Sequence, residues 1–203
     1  MKIEKCRIGI MGGTFDPIHL GHLVIAEAVR DRFQLERVLF IPAASPPHKE
    51  NAGLTAASHR YLMTVLAVQS HPCFFASDIE MNRSGPSYTI DTVRELVRIY
   101  GAAADLYFIT GADAIIELPT WREPERLLEL CQFVAATRPG CNGLEEVIAR
   151  YGDLGACRIH RLETPELAIS ATDIRERVKQ GKSVRYIVPE AVEHYIQKEG
   201  LYR

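Results

Sequence analysis

The segment Gly12-Gly13-Thr14-Phe15-Asp16-Pro17-Ile18-His19-Leu20-Gly21-His22 gathers what a phosphate site needs. Glycines let a phosphate approach the backbone, and Pro17 suits a helix start. A first helical turn then offers unpaired N–H groups and a positive dipole end to an anion. His19 and His22 stand at i and i+3, so on a helix they share a face and can both donate to phosphate oxygens, with Gly21 leaving room for a nucleotide. The segment is neither standard fingerprint: G-x-x-x-x-G-K-[ST] is absent, and Gly12, Gly13 and Gly21 do not fit G-x-G-x-x-G. An isolated H-x-x-H pair is more often a surface or core feature, and it can also be half of a metal site. Gly-Gly before the pair and the lack of a third ligand motif favour phosphate over zinc.

A second constellation, Ile169-Ser170-Ala171-Thr172-Asp173-Ile174-Arg175, carries a helix-start signal in which Ser170 or Thr172 can cap. Alone it is an ordinary N-cap with a local arginine. As chemistry, hydroxyls and N–H groups at a helix start, with Arg175 one turn in, make an anion clamp able to face the first. Lys49, after Pro46-Pro47-His48, is a further phosphate contact if that loop reaches the site, and otherwise a solvated charge. The lone tryptophan, Trp121, is either core packing or a stacking surface.

These residues require elements to position them. Cys6 to Met11 reads as a strand closed by Gly12-Gly13, Leu20 to about Phe33 as a helix, and Arg37 to Ile41 as a second buried strand, which makes a β-α-β unit with parallel strands. The alternation continues with a helix at Ser58 to Gln69, a strand at Phe74 to Ile79, a helix through Ile90 to Tyr100 and a strand at Leu106 to Thr110. Next come a helix at Pro124 to Leu130, a strand at Phe133 to Ala136, a helix at Leu144 to Tyr151 and a strand at Arg158 to Leu162. Two closing helices span Thr172 to Gln180 and Pro189 to Lys198. The pattern predicts one α/β domain over 1–203, a Rossmann-like doubly wound parallel sheet with helices on both faces and a small helical extension over about 172–203. In such sheets ligands sit beyond the carboxyl ends of the strands, and Gly12 to His22, Pro42 to Lys49, Gly111 to Asp113 and Arg138 to Gly140 all follow strands.

Composition narrows the partners. The 203 residues carry 24 Lys plus Arg against 26 Asp plus Glu, a net charge of -2, so there is no global positive field for a nucleic-acid polymer. The five cysteines are scattered without C-x-x-C, which argues for reduced thiols in a cytoplasm. No apolar run approaches the ~20 residues of a membrane span. Oligomeric state is not legible, and a homo-oligomer is left open.

G-G-T-F-D-P-I-H-L-G-H and I-S-A-T-D-I-R together resemble the nucleotidyltransferase superfamily that carries H-x-G-H and an I-S-S-T-x-x-R-like signature. Within it the chain is similar to bacterial nicotinate-nucleotide adenylyltransferases along its whole length. Further matches are Pro46-Pro47-His48-Lys49, Ser87-Tyr88-Thr89-Ile90-Asp91-Thr92, Gly111-Ala112-Asp113, Pro119-Thr120-Trp121, and the ending Val188-Pro189 to Leu201-Tyr202. The resemblance implies adenylyl transfer from ATP to nicotinate mononucleotide, giving nicotinate adenine dinucleotide and pyrophosphate. The substrate's own phosphate attacks in line, so no enzyme nucleophile is needed.

By the same resemblance Gly12, Gly13, Thr14, Phe15, Gly111 and Asp113 bind ATP, with Asp113 on the ribose. His19 and His22 hold phosphates, Lys49 meets the outgoing pyrophosphate, and Ser170, Thr172 and Arg175 grip the triphosphate from the other side. Tyr88, Thr89 and Trp121 receive the nicotinate nucleotide. Mg²⁺ is the implied cofactor, held mainly by ATP phosphates. Ala171 stands where the family often has a second Ser, and Arg122-Glu123 where relatives often carry further aromatics. A related transferase with another acceptor, such as phosphopantetheine, and a sensor without turnover are the rival readings. Ser87-Tyr88-Thr89 and Trp121 argue against the first. The complete phosphate set argues against the second.

Overall fold

The apolar runs pair as a wholly parallel 6-stranded sheet in the order β3-β2-β1-β4-β5-β6. The strands are β1 (Cys6–Gly13), β2 (Arg37–Pro42), β3 (Phe74–Ala76), β4 (Ala104–Gly111), β5 (Gln132–Thr137) and β6 (Ile159–Glu163). This computed structural model describes residues 5–46, 53–137, 143–165 and 167–203. The expectations for Lys49 and for Arg138-Pro139-Gly140 lie outside the described residues. The helices are α1 (Leu20–Phe33), α2 (Ala57–Val68), α3 (Thr89–Tyr100), α4 (Ala112–Ile116), α5 (Pro124–Leu130), α6 (Leu144–Arg150), α7 (Gly152–Arg158), α8 (Ala171–Lys179) and α9 (Glu190–Glu199).

Strand alternation divides each apolar run between two cores. Ile8, Ile10, Leu39, Ile41, Phe108 and Phe133 point to the face covered by α3, α5 and α6. Met11, Val38, Phe40, Ile109 and Val134 point to the face covered by α1, α2, α8 and α9. The helical extension shares this second core, since Ile174, Val192 and Ile196 are buried in it.

Most boundaries shift by one or two residues, and three departures from expectation are larger or fall at the candidate site. β1 runs on through Gly12 and Gly13 because both pair with β2, opposite Ile41 and Pro42. The third strand stops at Ala76. Helix α7 was unforeseen: Gly-Asp-Leu-Gly-Ala-Cys-Arg has two weak helix formers, and the turn forms by packing on α6 and α5. Among the described residues no helix is long and apolar enough to cross a membrane.

Candidate active site

The strand order reverses between β1 and β4, and this is where parallel sheets open a crevice at their carboxyl ends. The two strands run side by side, with Met11 opposite Ile109. The loop after β1 and the α4 segment after β4 therefore leave the sheet as neighbours.

His19 is the N-cap of α1, not a residue of its first turn, and His22 is N3. Pro17 thus precedes the cap. The backbone N–H of His19 donates to His22 Nδ1 at 3.2 Å, the reach-back half of a capping box. With Nδ1 accepting, a neutral His22 carries its proton on Nε2, free to donate outward. The two imidazoles stack at 3.7 Å between centroids. Burial lowers the pKa of His19 to about 4. Burial first, then His19, holds His22 well below its ordinary value. Both rings are therefore neutral donors at pH 7, and His19 Nδ1 is buried without a partner among the described residues.

Gly21 suits this stack, because a Cβ there would lie 3.0 Å from His19 Nδ1 and would press on the His19 ring. The first turn is less open than expected, since the Leu20 N–H donates to the Ile187 carbonyl at 3.0 Å. Phe15 adopts a left-handed φ of 50° and is 2% exposed, its ring under His22 in a T-shaped contact at 5.0 Å. Its side chain supports the histidine, so only its backbone is left for the ATP contact that the sequence resemblance implies. Gly13 makes that placement possible, as a Cβ there would meet the Phe15 ring at 2.9 Å.

Three residues that the sequence reading did not select hold this loop. Arg60 of α2 is 0% exposed and donates to the carbonyls of Thr14 (2.7 Å), Ala43 (2.6 Å), Ala44 (3.2 Å) and Thr55 (2.8 Å). It ties the loop after β1 to the loop after β2. Burial draws its pKa down, with the Asp16 carboxylate opposing. Asp16, 4% exposed, accepts the Tyr202 hydroxyl at 2.7 Å and the Thr55 N–H at 3.2 Å. Burial, then the Asp16 carboxylate, pushes the Tyr202 phenol far above its usual range. A buried arginine with only carbonyl partners leaves no sequence signature, and Asp16 was legible only as part of the motif.

The second signature packs against the first. Ser170 caps α8, its Oγ accepting the Asp173 N–H at 3.0 Å. Arg175 donates from Nη1 to the Asp16 carbonyl at 2.7 Å and from Nη2 to Thr172 Oγ1 at 3.2 Å. Thus α8 abuts the β1 loop, and Arg175 bridges the two. Gly111 is the N-cap of α4 and Asp113 lies exposed in its first turn, so this segment is a short helix where a loop was expected.

Beyond α4 a cavity of about 670 Å³ is lined by Ser87, Tyr88, Thr89, Glu117, Trp121 and Arg122, among others. Tyr88 is the N-cap of α3 and Thr89 its first residue. The Trp121 ring packs T-shaped on Phe108 (5.9 Å) and Phe133 (6.2 Å), so it meets the core and the cavity at once. Ser87 exchanges two hydrogen bonds with Ser45 of the β2 loop, at 2.8 and 3.1 Å. Among the described residues no cluster of three His, Cys, Asp or Glu could hold a metal.

Comparison with known proteins agrees with this geometry. Residues 10–177 match the family described as Cytidylyltransferase-like. The chain is 54% identical to a protein of Thermoanaerobacter sp. (strain X514) named probable nicotinate-nucleotide adenylyltransferase, over 98% of this chain and 96% of that one. It is 56% identical to the Moorella thermoacetica protein of the same name, over 97% and 92%. In fold it is similar to Plasmodium falciparum nicotinic acid mononucleotide adenylyltransferase complexed with NaAD, with a TM-score of 0.79 at 21% identity over 97% of each chain. By its family match and by its identity to these relatives over nearly the whole of each chain, the chain belongs to the Cytidylyltransferase-like family and, within it, to the nicotinate-nucleotide adenylyltransferases.

Proposed function

We propose that the protein transfers the adenylyl group of ATP to nicotinate mononucleotide, releasing pyrophosphate and nicotinate adenine dinucleotide. The observation that carries this reading is the placement of the stacked His19–His22 pair in the segment that follows β1 and of the Trp121 cavity beyond the segment that follows β4, two strands that pair side by side. A nucleoside triphosphate with its phosphates at the start of α1 would present its α-phosphorus to an acceptor held in the cavity.

The reaction is a displacement at phosphorus. An oxygen of the acceptor's phosphate forms the new P–O bond, the bond to the β-phosphate oxygen breaks, and pyrophosphate leaves with the electron pair. Catalysis is positioning together with stabilisation of phosphate charge. His22 Nε2–H donates to a phosphate oxygen, and His19 braces its ring. Lys49 meets the departing pyrophosphate, while Thr172 and Arg175 of α8 face the triphosphate from the other side. Ser170 contributes mainly by holding the start of α8. The backbone of Gly12 to Phe15 follows the nucleotide, Gly111 lets it pass close to β4, and Asp113 accepts from ribose hydroxyls. The Asp16 carboxylate already has a partner on each oxygen, which fits a Mg²⁺ ion carried on the phosphates and water rather than on a protein carboxylate. When bound, that ion neutralises charge on the leaving group.

In the cavity the pyridinium ring stacks on Trp121, and its carboxylate meets the amino end of α3 at Tyr88 and Thr89. The test is pyrophosphate release with ATP and Mg²⁺, with nicotinate mononucleotide, nicotinamide mononucleotide and phosphopantetheine compared as acceptors. Turnover with the first, well above the other two, is the expected result. Preference for phosphopantetheine overturns the acceptor assignment, and silence with all three overturns the reaction.

A further inference from the structure

Arg122 occupies a distinctive position. It lines the cavity, and its guanidinium carbon lies 4.9 Å from the centroid of the Tyr88 ring, beside the first turn of α3. The backbone there is fixed. Glu123, the next residue, holds a left-handed φ of 54°, an uncommon conformation for a residue with a side chain. Its carboxylate accepts two hydrogen bonds from Arg94 of α3, at 3.1 and 2.6 Å. This clasp joins the Trp121-Arg122-Glu123 turn to α3, so Trp121 faces inward to Phe108 and Phe133 while Arg122 is placed over Tyr88. The clasp also gives the carboxylate next to Arg122 another partner. Among the described residues no carboxylate lies within 4.0 Å of Arg122, and Glu117 is the other charged group lining the cavity.

The first turn of α3 offers the backbone N–H groups of Thr89 and Ile90, which meet no acceptor among the described residues. Those donors alone discriminate weakly between an acid and its amide, because a carboxamide also presents a carbonyl oxygen. A carboxylate has two acceptor oxygens and a charge, whereas a carboxamide has one acceptor and an NH₂ that cannot face another donor. A guanidinium at this point supplies the missing discrimination.

We infer that Arg122 is the specificity-determining residue that selects the carboxylate of a pyridine-carboxylate nucleotide over the corresponding carboxamide, acting with the amino end of α3. This rests on the acceptor reading of the same cavity. Arg122 takes no part in the adenylyl transfer itself.

Trp121 is the sole tryptophan, so its fluorescence reports binding in the cavity without turnover. The wild type, Arg122→Gln and Arg122→Lys are titrated with nicotinate mononucleotide and with nicotinamide mononucleotide. In Arg122→Gln the ratio of the amide to the acid dissociation constant falls by roughly tenfold or more, as expected for loss of one charge-assisted contact. Arg122→Lys, which keeps the charge without the planar fork, retains an intermediate ratio. A ratio unchanged in Arg122→Gln overturns the inference, whether neither ligand weakens or both weaken together, as they would through a contact to the shared ribose phosphate. If the wild-type signal answers to neither nucleotide, the acceptor reading falls, and the role of Arg122 falls with it.

Discussion

The phosphate cradle and the acceptor cavity are built on opposite principles. In the cradle Asp16, His19 and Arg60 are 4%, 7% and 0% exposed, and partners reach them from segments far apart in sequence. Phe15 is held there in a strained conformation, which persists only where the surroundings over-determine it. In the cavity Tyr88, Thr89 and Trp121 are half-buried, Arg122 is exposed, and the wall is fastened by an ion pair near the surface. The half proposed to hold the nucleotide is preorganised, as stabilisation of charge on phosphates would require. The acceptor half is an open mould whose few polar groups determine which molecule fits. Substitutions in the first region should cost stability and rate, and those in the second should change selectivity in a folded protein.

Arg60→Met is the strongest way to break this contrast. It leaves the carbonyls of Thr14, Ala43, Ala44 and Thr55 without a donor, and the expected loss is upwards of about 4 kcal/mol in urea unfolding. An unfolding midpoint close to that of the wild type would show that the cradle is not held by this residue. His22→Ala should lower kcat by about 10²–10³ while leaving the circular dichroism spectrum intact. Near-normal turnover by the folded variant would remove His22 from the transition state.

The histidine pair also makes the cradle sensitive to acid. A histidine whose folded pKa is depressed binds its proton more readily in the unfolded chain, so stability is complete above about pH 6.5 and is lost as pH falls toward the folded value of about 4. The expected slope for His19 is about 1.4 kcal/mol per pH unit within that window, with His22 acting in the same sense. His160, depressed by burial and then by Arg158 and Arg32, adds to the trend from outside the cradle. Urea midpoints at pH 7, 6 and 5 measure the slope, and His19→Asn should flatten it. The smallest expected effect sharpens the contrast from the other side. Trp121→Leu should raise the KM of nicotinate mononucleotide roughly tenfold through the lost stacking on the pyridinium, with little change in the KM of ATP. Equal increases for both substrates would mean that the two regions are not separable.

How much of this was legible depended on the range of the interaction. Pro124–Leu130 was read to the residue, and the helix from Leu20 to about Phe33 closely, because apolar spacing and local punctuation define them. The parallel sheet and the carboxyl rim as the place of the site followed from the alternation of elements, whereas the order of the strands and the reversal between β1 and β4 came only with the structure. The two signature segments were visible as residue types, but their internal logic was not. His19 as a cap, Phe15 beneath His22 and Arg175 on the Asp16 carbonyl arise from backbone angles and contacts across 159 residues of sequence. Arg60 was invisible for a related reason, since its partners are carbonyls, which every residue carries. The roles of Arg122 and Glu123 depend on a single left-handed residue that local propensity disfavours.

Asp16 and Tyr202 stand 186 residues apart. The histidine loop leaves a ribosome well before residue 202 does, and its strand can pair with β2 in that interval. The carboxylate at the base of that loop nevertheless waits for residue 202 before its second oxygen acquires a donor. A nascent chain can therefore display the complete H-x-G-H motif on a growing sheet while the Asp16 carboxylate still lacks the donor that residue 202 supplies, so the loop's support is completed well after the loop itself is made.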